Sequence, residues 1–163
     1  MSVAGFEEAY RAALKVRVSA SPPLDILVVS PAGLTIMKLI AWADRPHERS
    51  RDAGDLAHIL ENYLDVGNLE RLLEEHMDLV EVENFDYVRA GARLLGRDLA
   101  SIGKPETIGR IREILAKETA DEGQYRLIRA MVADWGRVGE GSENRFEELL
   151  ALLRELVKSI EDR

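Results

Sequence analysis

The 163-residue sequence predicts an α+β fold that is predominantly α: an N-terminal helix and a β-hairpin, followed by a bundle of about six to seven helices. Three observations predict it. Alternating and β-branched stretches are confined to the first 30 residues. A Ser-Pro helix start follows them at once, and from residue 83 onward apolar residues recur only at helical spacing. Residues 1–30 read as a remnant α/β element and residues 31–163 as a helical bundle, together one compact unit.

In order along the chain, Gly5–Leu14 reads as a short helix, with Phe6, Tyr10, Ala13 and Leu14 on one face. Lys15–Val18 alternates and Leu24–Val29 is apolar and β-branched, so both read as strands. Ser21-Pro22-Pro23 between them is a turn, since two prolines cannot continue a ladder. Ser30 and Pro31 open a helix as N-cap and first helical residue. That helix runs to about Ala43 and ends before Pro46, which disfavours helical geometry in the residue preceding it. Further helices are expected at Ser50–Tyr63, Leu69–Met77, Asn84–Ser101, Pro105–Glu118, Gly123–Trp135 and Ser142–Ile160. The last carries one apolar stripe through Phe146, Leu149, Leu153, Leu156 and Ile160.

Composition excludes several classes of function. The chain has no Cys, which removes disulfide scaffolds, Cys-zinc sites and thiol catalysis. It has no apolar run long enough for a membrane span and no secretory leader pattern, so a cytoplasmic location is expected. The net charge of −8 is unevenly spread. Residues 1–60 carry seven basic and seven acidic side chains, whereas residues 61–163 carry 15 and 23. Contact with a polyanion therefore needs a local patch.

Lys38 is the one charge inside the apolar helix that begins at Pro31. An unpaired ammonium there is costly, so Lys38 must reach solvent, an acid or an anion. Asp52 and Asp55, three apart in the next helix, share a face, and their place near its start also suits the helix dipole. With Arg45, Arg49 and Arg51 they would make one charged surface where two consecutive helices meet. Arg89, Arg93 and Arg97 recur every four residues and share a second face, readable as a nucleic-acid contact or as a solvated surface. The three histidines lack metal-ligand spacing, no nucleophilic triad is evident, and the glycines at 136, 139 and 141 form no phosphate loop.

The stretch Val29-Ser30-Pro31-Ala32-Gly33-Leu34, Lys38-Leu39-Ile40-Ala41-Trp42, Asp44-Arg45, Glu48-Arg49, Arg51-Asp52-Ala53, Asp55-Leu56 and Asn62-Tyr63 resembles bacterial nucleotidyltransferase-like proteins of the DNA polymerase β superfamily. Within that superfamily it is most similar to AbiE-type abortive-infection toxins. Gly5–Tyr10 and Ala90–Asp98 resemble further stretches of the same relatives.

The resemblance implies nucleotidyl transfer from a nucleoside triphosphate to an acceptor such as tRNA, assisted by Mg²⁺. It implies that Lys38 contacts the triphosphate and that Asp52 and Asp55 orient it, these three being the expected catalytic residues. Arg45, Arg49 and Arg51 would join Lys38 in nucleotide binding, and Arg89, Arg93 and Arg97 would guide the RNA. The family's Gly-Ser turn followed by Asp-x-Asp does not occur in this sequence, so the Mg²⁺ ligands are not found in it. The expectation drawn from this departure is a truncated, C-terminal portion of such a protein, inactive without a separately supplied catalytic half. Self-association through the hairpin edge is a further expected partnership. A non-catalytic helical module that binds protein, through the hairpin edge or the C-terminal leucine stripe, is the alternative reading.

Overall fold

The computed structural model describes residues 4–134 and 142–161. Its elements follow the expected order: α1 (Phe6–Arg11), β1 (Leu14–Ala20), β2 (Pro23–Val28), α2 (Pro31–Asp44), α3 (Ser50–Asn62), α4 (Leu69–Glu75), a 3₁₀ turn at Met77–Leu79, α5 (Tyr87–Ile102), α6 (Pro105–Thr119), α7 (Arg126–Asp134) and α8 (Ser142–Glu161). An N-terminal helix and hairpin followed by seven helices is the predicted architecture. The glycines at 136, 139 and 141 lie outside the described residues.

Helix boundaries are set by local chemistry. The Ser30 hydroxyl accepts from the Gly33 amide at 3.2 Å and caps α2, with Pro31 at the first helical position. Helix α5 begins at Tyr87 rather than Asn84, because Asn84 has φ 58° and Asp86 caps the Arg89 amide at 2.7 Å. Helix α7 starts after Tyr125, whose φ of 51° breaks the run expected from Gly123.

Helix α2 runs through the core, with Ile36, Leu39 and Ile40 buried and Ala9 of α1 against Gly33. Gly5 lets the chain enter α1 at φ +85°, a conformation L side chains rarely adopt, and a Cβ there would lie 2.6 Å from Ile36. The most extensive helix pairing is α5 against α8. It depends on Gly96, where a Cβ would stand 2.6 Å from the Leu156 carbonyl oxygen. The apolar stripe of α8 is spent here: Leu149, Leu153, Leu156 and Ile160 are at most 1% exposed. This corrects the stripe as a surface for another protein, since α5, α6 and α7 already cover it.

Strands β1 and β2 form an antiparallel two-stranded sheet, with Leu14 opposite Val28 and Val16 opposite Ile26, and an irregularity between Arg17 and Ser19. Pro23 opens β2, a first-strand position where a missing amide donor is tolerated.

Candidate functional site

The five-residue connection Arg45–Arg49 returns the chain so that α3 packs on α2. Lys38 lies midway along α2, on the side turned to α3. Its ammonium donates to Asp52 Oδ1 at 2.9 Å and to Asp55 Oδ2 at 2.5 Å. The Lys38 and Asp52 side chains are 16% and 14% exposed, whereas Asp55 is 56% exposed. The second oxygen of Asp52 faces the Arg49 guanidinium at 3.5 Å. Asp52 thus holds one cation on each oxygen, and Asp55 closes over the ammonium from the solvent side.

Burial works against the charge on Lys38, but the bonds from Asp55 and Asp52 outweigh it and hold the ammonium above the usual lysine range. A lysine has three N–H donors. Two are committed to the carboxylates, so one direction remains for another acceptor. The site therefore offers an oriented, largely dehydrated ammonium at the surface between two helices.

The other expected nucleotide contacts are arranged around it less tightly. Arg45 pairs with Glu48 at 3.2 Å, both well exposed, and Arg51 is exposed in the first turn of α3. Beside them, Asp44 at the end of α2 pairs with Arg110 of α6. Residues 38–55 balance Lys38, Arg45, Arg49 and Arg51 against Asp44, Glu48, Asp52 and Asp55.

The second expected patch is organised differently. Arg93 binds Glu155 of α8 at 2.5 Å. Arg97 grips Asp78 and donates to the His76 ring at 3.1 Å. Of the three α5 arginines, Arg89 is exposed and the other two are partly buried in these pairs. Arg93 thus ties α5 to α8, and Arg97 ties it to the 3₁₀ turn. The histidines are dispersed: His47 accepts from Arg126, His58 lies beside Asn62, and His76 takes part in the Arg97 pair.

Sequence reasoning missed one polar cluster. Tyr63 donates its hydroxyl to Asp98 at 2.5 Å, and Arg71 forks onto the same carboxylate at 2.8 and 3.0 Å. Asn68 joins by donating to the Tyr63 carbonyl and accepting from Arg71. Burial, with the Asp98 charge beside it, pushes the Tyr63 phenol well above its ordinary range. The cluster locks α3, α4 and α5 together. Its only trace in the sequence is that Asn62-Tyr63 and Arg97-Asp98 fall inside the stretches that carry the family resemblance.

The family model described as nucleotidyl transferase AbiEii toxin, type IV TA system, matches residues 4–152. The chain belongs to this family. No curated protein and no solved structure matches it. The span of the match overturns the expectation of a C-terminal remnant without a catalytic half. It takes in α1, the hairpin and the bundle through the first half of α8, so residues 4–30 are part of the family domain. The packing agrees: Thr107 of α6 donates to the buried Glu8 of α1 at 2.5 Å, and Lys104 pairs with Glu7.

Nucleotidyltransferases of this family could use Mg²⁺, and the donor set can be tested for it. Among the described residues no group of three or more His, Asp or Glu is placed to hold a metal ion. Asp52 and Asp55 already share one cation, the Lys38 ammonium. These residues do not fit Mg²⁺. Among the described residues, no helix is long and apolar enough to cross a membrane.

Proposed function

We propose that the Lys38 site binds the phosphate groups of a nucleoside triphosphate, as the nucleotide-contacting surface of this nucleotidyltransferase-family protein. The observation that carries the reading is the Lys38 ammonium fixed between Asp52 and Asp55. A phosphate oxygen offers the same charge and acceptor geometry as the Asp55 carboxylate, and Asp55 is the more exposed partner. An incoming phosphate takes the third N–H of Lys38 or replaces Asp55, while the less exposed Asp52 keeps the ammonium in place. Arg49, on the other oxygen of Asp52, supplies a second cation on the same side. In this reading Lys38 touches the nucleotide and Asp52 is a positioning residue. Asp55 holds the ammonium until the phosphate arrives.

The acceptor is proposed to be RNA at the level the family suggests. The pairing of Arg93 and Arg97 within the fold favours approach past Arg45 and Arg51 over approach along α5.

The test is a thermal-shift titration with each nucleoside triphosphate and with inorganic triphosphate, since a ligand that binds only the folded state raises the melting temperature. Wild-type protein shifts upward. Arg49→Ala shifts less, and Lys38→Gln does not shift. A wild-type protein unmoved by millimolar triphosphate, or a folded Lys38→Gln variant that shifts as wild type does, overturns the reading.

A further inference from the structure

Arg71, Arg93, Arg97 and Arg145 are each closed onto a carboxylate of another element. On the side that carries the Lys38 site the balance differs. Asp44 is held by Arg110, Glu48 by Arg45, and Asp52 and Asp55 by Lys38 and Arg49. Every acid of residues 38–55 is thereby matched, and two guanidinium groups are left over. One is Arg51, in the first turn of α3, and the other is Arg126, at the start of α7. Both are exposed, and among the described residues neither forms an ion pair.

Helix α7 packs on α3 and brings Arg126 to this side. Its Nη2 donates to His47 Nε2 at 3.2 Å, joining residues 79 apart in the chain. A guanidinium has only donors, so Nε2 carries the lone pair, and in the neutral ring Nδ1 carries the hydrogen. The bond therefore fixes the guanidinium against an uncharged partner and leaves its charge and its other N–H groups unspent. The acid whose charge acts on it is Glu118, which is 4% exposed and committed to the Leu127 amide at 2.8 Å. His47 and Arg49 are two residues apart in the α2–α3 connection, a span of at most about 7 Å. The contacts Arg126–His47 and Arg49–Asp52–Lys38 thus adjoin.

We propose that Arg126, held in place by His47, is a second phosphate-binding position beside the Lys38 site. It rests on the function proposed above for that site and extends its cationic surface from one phosphate group to a row of them. An oriented guanidinium without a carboxylate partner takes phosphate oxygens through charge-assisted hydrogen bonds. The Nδ1 hydrogen of His47 is a further donor at the same place. The phosphate belongs either to the nucleoside triphosphate or to the backbone of an RNA strand. The recognising chemistry is the same for both, and two arms of one experiment separate them.

The full chain and its variants are titrated with inorganic triphosphate, read by thermal shift, and with labelled single-stranded oligouridylate, read by anisotropy at several salt concentrations. Arg126→Gln weakens binding about two- to fivefold, the size of an exposed ionic contact, and Arg126→Lys restores part of it. A loss in the oligouridylate arm, with the slope of log affinity against log salt reduced by about 0.7, assigns the phosphate to an RNA strand. A loss in the triphosphate arm assigns it to the nucleotide. Arg11→Gln makes the same change of net charge on α1 and leaves both arms as in wild type. Arg126→Gln binding both ligands as wild type does overturns the proposal, and so does an equal loss in Arg11→Gln. If triphosphate binding depends on Lys38 but neither arm responds to Arg126, this proposal fails alone. If oligouridylate binding depends on Arg126 while triphosphate leaves wild type unmoved, the Lys38 reading fails and this one stands. Wild type that binds neither ligand overturns both.

Discussion

Replacing Lys38 by Met removes the ammonium and keeps most of the aliphatic volume, so the expected loss is electrostatic rather than a packing defect. What remains is Asp52, 14% exposed, with Arg49 at 3.5 Å as its other cation. Breaking a fully buried ion pair by deleting one partner costs about 3–5 kcal/mol. This pair is largely but not fully withdrawn from water and keeps a weak second cation, which scales the loss to about 2–3 kcal/mol. Asp55 is more than half exposed, so its share of the coupling is below about 1 kcal/mol. A double-mutant cycle separates the two carboxylates. Urea unfolding of Lys38→Met, Asp52→Asn, Asp55→Asn and the two double variants should give a coupling for Lys38–Asp52 at least twice that for Lys38–Asp55. Asp52→Asn should restore most of the stability lost in Lys38→Met. Equal couplings, or a Lys38→Met protein as stable as wild type, would refute the placement of Asp52 as the anchor of this site.

The remaining predictions concern the frame around the site. Gly96→Ala drives a methyl group to 2.6 Å from the Leu156 carbonyl oxygen and 2.9 Å from Ser159 Cβ, costing about 1–3 kcal/mol and lowering the melting temperature by roughly 2–12 °C; an unchanged melting temperature would show that the α5–α8 contact yields freely. Tyr63→Phe removes one bond to Asp98 while Arg71 keeps two, so chemical denaturation should show a loss of about 1 kcal/mol. Arg71→Met should cost more than Tyr63→Phe, and the reverse order would be inconsistent with a carboxylate held chiefly by the guanidinium. Glu118 is 4% exposed and accepts from the Leu127 amide at 2.8 Å, and burial raises its pKa. The folded state therefore binds its proton more tightly than the unfolded state does. This contribution is full below the ordinary glutamate pKa and is lost as pH rises through the folded value. Glu118→Gln should gain stability relative to wild type on going from pH 4 to pH 7, measured by urea midpoints at both pH values; a difference that does not change with pH would refute the direction.

Much of the architecture is local, and local signals disclosed it. Ser30 and Pro31 fix the start of α2 within two residues of chain, and the prolines at 22 and 23 fix the hairpin turn, so these elements can be read without their neighbours. The starts of α5 and α7 came out late by three residues because Asn84 and Tyr125 adopt positive φ, which no periodicity reports. The partners of Arg93 and Arg97 were equally hidden. Their common face is a property of the helix, but Glu155 and Asp78 come from elements 62 and 19 residues away. The resemblance points to the right family, but the missing Asp-x-Asp motif points to a C-terminal portion, whereas the family match begins at residue 4.

The sequence by itself narrowed Lys38 to solvent, an acid or an anion, because an ammonium in an apolar helix has few tolerable environments, and it put acids at one-face spacing at the start of the next helix. Tertiary structure alone decided which acid anchors it and which lies open. That distinction is one of burial, 14% against 56% exposure for Asp52 and Asp55, and burial is a property of how α2 and α3 pack rather than of either segment. The same holds for the hairpin: alternation predicts two strands, but only the tertiary structure shows Val16 and Ile26 40% and 44% exposed.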